Sequence, residues 1–226
     1  MNLDAQLLAE RHAWLLWVFW LMWLPVLTFT VRYAPWARLL EPEGRRLNLW
    51  LGVIVSLLFF WRLAAGVKPG LDLHLTGVML FFLLFGARLA FLGLNLLLLG
   101  LFLSGGMAWQ SLAPNAIVTA GLGVLLAVLI RKAVERWLPR HFFIFIFLQC
   151  FFGAAAVVMG VGLAATLLYA AADAYSLAYL LEFYLPYYLL LGFSEAWISG
   201  AILTVLAVYR PHWVDAYDPR VYLDGK

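Results

Sequence analysis

Long apolar runs separated by short polar segments make up most of the chain, and they predict a series of membrane-spanning helices. A spanning helix needs about 20 consecutive apolar residues. Runs of this kind occur at residues 13–31, 47–65, 112–130, 142–170 and 184–209. Each run predicts one crossing of a bilayer by a helix whose backbone hydrogen bonds are satisfied internally.

The apolar run at residues 71–103 is longer than one crossing requires, and only the residues around Arg88 interrupt it. As a single helix it would be about 50 Å long, against a hydrocarbon core of about 30 Å. Two short spans near 73–86 and 89–103, joined by a tight turn that starts at Gly86, resolve this mismatch. The pattern therefore predicts seven spans.

The placement of the basic residues also favours seven spans. With seven, three of the fifteen Lys and Arg residues (Arg11, Arg62 and Lys68) lie on one side of the membrane and the other twelve on the opposite side. With six, the cluster at 131–140 and the C-terminal tail would lie opposite the cluster at 32–46. Because basic residues concentrate in cytoplasmic loops, we predict an N-terminus outside, a C-terminus in the cytoplasm, and the inner membrane of a bacterium as the location.

The composition agrees with an all-α integral membrane protein, a single transmembrane domain over residues 1–226. The chain is 66% hydrophobic and 12% charged, with a mean hydropathy of +0.95, which is more apolar surface than a soluble domain of this length can bury. We expect membrane lipid around it and no nucleic acid. The single cysteine, Cys150, excludes an intrachain disulfide and a cysteine-based metal cluster.

Small residues recur at every fourth position on two of the predicted spans. The two stripes are Ala156, Gly160 and Ala164, and Gly192, Ala196 and Gly200. Such stripes let helix backbones approach closely in lipid. Packing inside the bundle is the simpler interpretation, and docking of another membrane subunit is the alternative.

The motifs of common enzymes do not occur in the sequence. It contains no phosphate-binding glycine loop and no HExxH, and no spacing supports a Ser-His-Asp arrangement. We therefore expect a transport or accessory protein without its own ATPase, rather than an enzyme. Energy for active transport would come from a partner or an ion gradient.

Glu195, about halfway along the last predicted span, is the most costly side chain to place in lipid. A carboxylate at the bilayer centre costs about 2.5–3.5 kcal/mol on insertion scales, so it is expected to face the bundle. It serves either a proton relay or cation path, or a polar clamp to Asn95, Asn115 or Gln149 in other spans.

His74 lies just inside a predicted span, after a Pro-Gly break in the segment GVKPGLDLHLTG at residues 66–77. A histidine in this position is either an interfacial residue or a ligand. Its imidazole nitrogen suits cobalt, nickel or copper. A metal site needs three or more donors, and the candidates near this end are the amino terminus, Asp4, Asp72 and His12.

Four segments together resemble a known family. They are KPGLDLHLTG on the third span, LAPNAIV at the start of the fifth, FSEAWISGAILTVLAVYRPHWV on the last and YDPRVYL in the tail. The chain is similar to the CbiM-like family, the membrane substrate-binding components of energy-coupling-factor transporters for cobalt and nickel. The similarity covers most of the chain and is strongest at residues 66–90 and 184–223.

The resemblance implies a metal site near the outer surface, with square-planar nitrogen coordination. Its donors in the family are the terminal amine, the amide and imidazole of a histidine at position two, and a histidine on a later helix. His74 matches the later histidine and Met1 supplies the amine, whereas Asn2 stands where the family has histidine. The ion implied is a divalent transition metal: nickel, cobalt, copper or zinc.

The resemblance also implies partners, namely a transmembrane coupling subunit and a pair of cytoplasmic ATPases. The substitution at position two supports an alternative function. A member that keeps the fold but has lost the metal site would be a structural or accessory subunit of a larger membrane complex.

Overall fold

The structure is a computed structural model that describes residues 3–41, 44–63, 65–66 and 71–223. The helices are α1 Ala5–His12, α2 Trp14–Tyr33, α3 Trp36–Leu39, α4 Arg45–Arg62, α5 Val78–Leu103, α6 Leu112–Asn115, α7 Gly123–Trp137, α8 Phe142–Ile144, α9 Phe152–Ala171, α10 Leu177–Phe183, α11 Tyr187–Tyr209 and α12 Pro219–Tyr222. Two π-helical segments, Ala116–Leu122 and Phe145–Phe151, join α6 to α7 and α8 to α9.

The predicted all-α membrane fold is confirmed. Within the described residues, five helices are long and apolar enough to cross a membrane: Trp14–Tyr33, Val78–Leu103, Trp109–Trp137, Phe142–Ala171 and Tyr187–Tyr209. These five correspond to the predicted runs at 13–31, 71–103, 112–130, 142–170 and 184–209. The predicted span at 47–65 corresponds to α4, an 18-residue helix with arginines at both ends.

Helix α5 reverses direction at Gly86. This residue has φ 77° and ψ 171°, a conformation that is open to glycine and breaks the helical backbone. In a straight helix, Phe81 and Gly93 would lie about 18 Å apart. Instead, the Phe81 ring packs directly on Gly93, and a methyl group added to Gly93 would overlap it. Residues 78–85 and 87–103 therefore form two arms that pack side by side, as the length mismatch in the sequence indicates.

The first arm begins at Val78 rather than at residue 73, where the sequence predicts it. Strand β2 (Asp72–Leu73) pairs antiparallel with β1 (Ala65–Gly66). Leu3 forms a further antiparallel bridge with Leu71. Non-helical backbone within a membrane protein is tolerated where the protein buries it and supplies its hydrogen bonds. This segment meets that condition, since Leu71, Leu73 and His74 are all buried.

The carbonyl end of the first arm is held by residues distant in sequence. The reversal at Gly86 leaves carbonyls without helical partners. The N–H of Asp215 donates to the carbonyl of Leu84 at 3.3 Å, and that of Ala216 to Leu83 at 3.0 Å. The guanidinium of Arg46 also donates to Leu84, at 3.3 Å, and forms an ion pair with Asp215. The chain after α11 thus closes one end of this arm.

Both small-residue stripes contribute to packing within the bundle. Gly160 packs against the side chain of Leu126, and Gly192 lies against Met159. The ring of Phe151 covers Gly200. The internal-packing interpretation therefore accounts for these three glycines, because a larger side chain at each would meet a neighbouring helix.

Candidate metal site

His74 occupies the buried, non-helical segment between β2 and α5. Its side chain is enclosed, with the residue 3% exposed. The ring centroid lies 4.2 Å from that of Trp61, at the end of α4. The ring nitrogen Nδ1 is 3.0 Å from the carbonyl oxygen of Leu75. Since a carbonyl only accepts, Nδ1 carries the proton in this pair, and in a neutral ring Nε2 carries the lone pair.

This arrangement is common among metal-binding histidines. Such a histidine usually donates its second N–H to a carboxylate or backbone carbonyl, which fixes its tautomer and orientation. Leu75 provides that carbonyl for His74, and Trp61 restrains the plane of the ring. The structure therefore fixes the orientation of the His74 ring and shields it from solvent.

Three side chains hold the N-terminal segment inside the bundle. The N–H groups of Leu3, Asp4 and Ala5 donate to Asn115 Oδ1 at 2.7 Å, to the Tyr169 hydroxyl at 2.9 Å and to Ser111 Oγ at 3.0 Å. Asn115 also donates from Nδ2 to the carbonyl of Leu3, at 2.9 Å. Leu3 itself is 1% exposed. Because Leu3 also bridges Leu71, this segment lies beside the strand that leads to His74.

The other two predicted ligands, Met1 and Asn2, lie outside the described residues. Of the remaining candidates, Asp4 and Asp72 line a polar pocket of about 220 Å³ with Ser111 and Met107. Burial raises the pKa of Asp72 above its usual value. His12 lies elsewhere, with Nε2 4.0 Å from the carboxylate of Asp173. In the part of the chain that the structure describes, no three His, Cys, Asp or Glu side chains converge on one point.

Glu195 forms a clamp, but with partners that the sequence does not predict. Its oxygens accept the backbone N–H of Thr76 at 2.7 Å and that of Gly77 at 2.6 Å. Ser199 donates a weaker bond to the same carboxylate, at 3.4 Å. The residue is 1% exposed. It lies eight residues after Tyr187, about 12 Å from the start of α11 rather than halfway along it.

Two of the three amides expected to meet Glu195 are engaged elsewhere, and the third, Gln149, has a buried Oε1 without a hydrogen-bond partner among the described residues. Asn95 accepts from the indole of Trp23 at 2.7 Å, and Asn115 holds the N-terminal segment. Gln149 is buried in the π-helical segment before α9. Glu195 therefore makes the hydrogen bonds of a clamp, but its partners are backbone groups of the segment that carries His74 rather than these amides.

Sequence reasoning overlooked Ser111 and Tyr169 as partners of the N-terminal segment. Ser111 and Asn115 are four residues apart and so share a helix face. That spacing is a local signal that could have paired them. Tyr169 offers no such signal, because its bond to Asp4 spans 165 residues of sequence.

The fold and the site together define a helical multi-pass membrane protein that buries a pre-oriented histidine beside an inserted N-terminal segment. The model of the CbiM family, described as a cobalt uptake substrate-specific transmembrane region, matches residues 11–213. The chain belongs to this family and is a membrane component of cobalt uptake type. No match was found among curated proteins or among solved structures.

Proposed function

We propose that the chain is the substrate-binding membrane component of an energy-coupling-factor transporter, and that it captures a divalent transition metal ion or metal chelate through His74. The observation that carries this proposal is the buried His74 imidazole, whose tautomer is set by Leu75. An imidazole prepared in this way is a ligand for nickel, cobalt, copper or zinc.

The remaining donors in this proposal are the Met1 amine and Asn2. The bridge between Leu3 and Leu71 supports this donor set, because it holds Leu3 beside the strand that leads to His74.

In this function the protein depends on partners for energy. The sequence lacks a phosphate-binding loop, so ATP hydrolysis would be carried out by cytoplasmic ATPases and transmitted by a transmembrane coupling subunit. The His74 end would face outwards in the inner membrane of a bacterium, and the end with Arg46 and Asp215 would face the cytoplasm.

The test is the metal content of the purified protein, measured by elemental mass spectrometry after loading with nickel, cobalt, copper or zinc. The wild type should carry near-stoichiometric metal, and His74→Ala should lose it. His141→Ala is the matched control, since His141 lies between α7 and α8 and should retain the metal.

A second function is supported by Asn2, which replaces the imidazole of the family pattern. In this alternative the chain is a structural or accessory subunit of a larger membrane complex and binds no metal. Absence of metal from the loaded wild type, together with stable copurification with a larger complex, would favour this alternative over metal uptake.

A further inference from the structure

The segment before α5 leaves two buried backbone donors that its own helix cannot satisfy. The N–H groups of Thr76 and Gly77 precede the first helical hydrogen bond of the arm, which runs from Phe81 to the carbonyl of Gly77. Thr76 is 1% exposed and Gly77 is buried. In a membrane protein, an unsatisfied buried donor costs several kcal/mol, so these groups need an acceptor from elsewhere.

Glu195 supplies an acceptor for each of the two donors. One carboxylate oxygen accepts from Thr76 and the other from Gly77, at 2.7 and 2.6 Å. Both distances are within the range of a hydrogen bond, so neither donor is left without an acceptor. The positive end of the helix dipole also favours a negative charge at this position. The carboxylate therefore fixes the segment at a point two residues after His74.

The other contacts of this arm leave little freedom for the segment to shift. At its far end, the carbonyls of Leu83 and Leu84 accept from Ala216, Asp215 and Arg46. With that end anchored, Glu195 and the pairing of β2 with β1 set how the chain enters the arm. The ring of Trp61 then bounds the imidazole on one side.

We propose that Glu195 is a positioning residue for the metal site. Through the backbone of Thr76 and Gly77, it holds the His74 imidazole in its ligand orientation. The metal-binding part of this proposal rests on the proposed function. Glu195→Gln tests the positioning role, because glutamine has nearly the shape of glutamate. Its NH2 group would face a backbone N–H, so one of the two donors would lose its acceptor and meet another donor.

The first measurement needs no metal. Protein labelled with ¹⁵N-histidine is reconstituted in nanodiscs, and the His74 ring resonances are assigned with His74→Ala. In the wild type, Nδ1 is protonated and Nε2 is not, so their shifts differ widely. Glu195→Gln should bring the two shifts together through tautomer exchange, and leave the other histidines unchanged. Ser199→Ala, which removes only the weaker 3.4 Å contact to the same carboxylate, should resemble the wild type.

The second measurement is a titration with Ni²⁺ or Co²⁺. Glu195→Gln should weaken affinity about 10- to 100-fold, the usual effect of losing a partner that orients a ligand. It should also shift the visible absorption of the bound metal at saturation. A purely structural role would lower thermal stability while the His74 shifts and the absorption spectrum stayed as in the wild type. That result overturns the inference.

The two proposals fail separately. If the wild type binds none of nickel, cobalt, copper and zinc, the proposed metal function is wrong, while the ¹⁵N comparison still decides whether Glu195 orients His74. If Glu195→Gln does not fold, the same comparison is made with Glu195→Asp. That variant keeps the charge but withdraws it by about one carbon–carbon bond, 1.5 Å. Its His74 shifts should lie between those of the wild type and an exchanging ring, and unchanged shifts would overturn the inference.

Discussion

The N-terminal segment provides a quantitative test of the structure through Asn115. Asn115→Leu keeps the approximate shape of the side chain and removes its hydrogen-bonding groups. The Leu3 N–H then loses its acceptor at 2.7 Å, and the Leu3 carbonyl loses its donor at 2.9 Å. Both Leu3 and Asn115 are buried, so water does not replace the lost bonds.

The magnitude follows from counting these groups. A buried polar group left without a partner costs about 1–3 kcal/mol, so two groups cost about 2–6 kcal/mol of the free energy that holds the segment in place. Since about 1.4 kcal/mol changes an equilibrium constant tenfold, the equilibrium constant for local opening of the segment should rise at least about 30-fold. Ser111→Ala removes only the acceptor of Ala5, so it should cost about 1–3 kcal/mol, or at least about 5-fold.

Hydrogen exchange of the Asp4 amide in nanodiscs is the appropriate assay. The direct partner of Asp4, the Tyr169 hydroxyl, is intact in both variants, so faster exchange at Asp4 reports release of the segment. Asn115→Leu should accelerate this amide more than Ser111→Ala does. If Asp4 exchanges at the wild-type rate in Asn115→Leu, Asn115 does not hold the segment and the reasoning is refuted.

Three further predictions concern the rest of the fold. Gly93→Ala should lower the unfolding temperature, because the added methyl group meets the Phe81 ring and overpacking costs about 1–3 kcal/mol. Gly52→Ala on α4 is the control, since its methyl group enters open space and should not destabilise the protein. Equal effects of the two substitutions would contradict the packing of the two arms. Asp215→Ala should destabilise by about 3–5 kcal/mol, since it leaves the largely buried Arg46 guanidinium without its ion-pair partner. Arg46→Ala should cost less, because Arg38 lies 4.0 Å from the same carboxylate. A double-mutant cycle in denaturant should show strong coupling, and additive effects would rule out the ion pair. Because burial raises the pKa of Asp72, the folded protein keeps the proton on this carboxyl to a higher pH than the unfolded chain does. The contribution of Asp72 to folding stability is therefore greatest at acid pH, and it declines as the pH rises from about 4 through the raised pKa. Asp72→Asn should remove that decline in thermal unfolding measured across this range, and an unchanged pH profile would show that Asp72 is not its source.

The helical architecture follows from local features of the sequence. Each spanning helix satisfies its own backbone, so an apolar run of sufficient length predicts it without knowledge of its neighbours. The reversal at Gly86 is also a local feature, because a glycine interrupts a run too long for one crossing. The span formed by α8, the π-helical segment Phe145–Phe151 and α9 agrees with the sequence for the same reason, since its ends at Phe142 and Ala171 match the predicted run at 142–170.

The site, in contrast, depends on contacts between residues far apart in the chain. Thr76 and Gly77 are 119 and 118 residues from Glu195, and Leu3 is 112 residues from Asn115. The apolar pattern at 73–77 predicts helix, and hydropathy alone cannot show that strand pairing and Glu195 supply the backbone partners there. The sequence by itself determined a helical membrane bundle and the candidacy of His74. Only the tertiary structure decided that His74 lies on non-helical backbone, because the hydrogen bonds that make this backbone stable come from other parts of the fold.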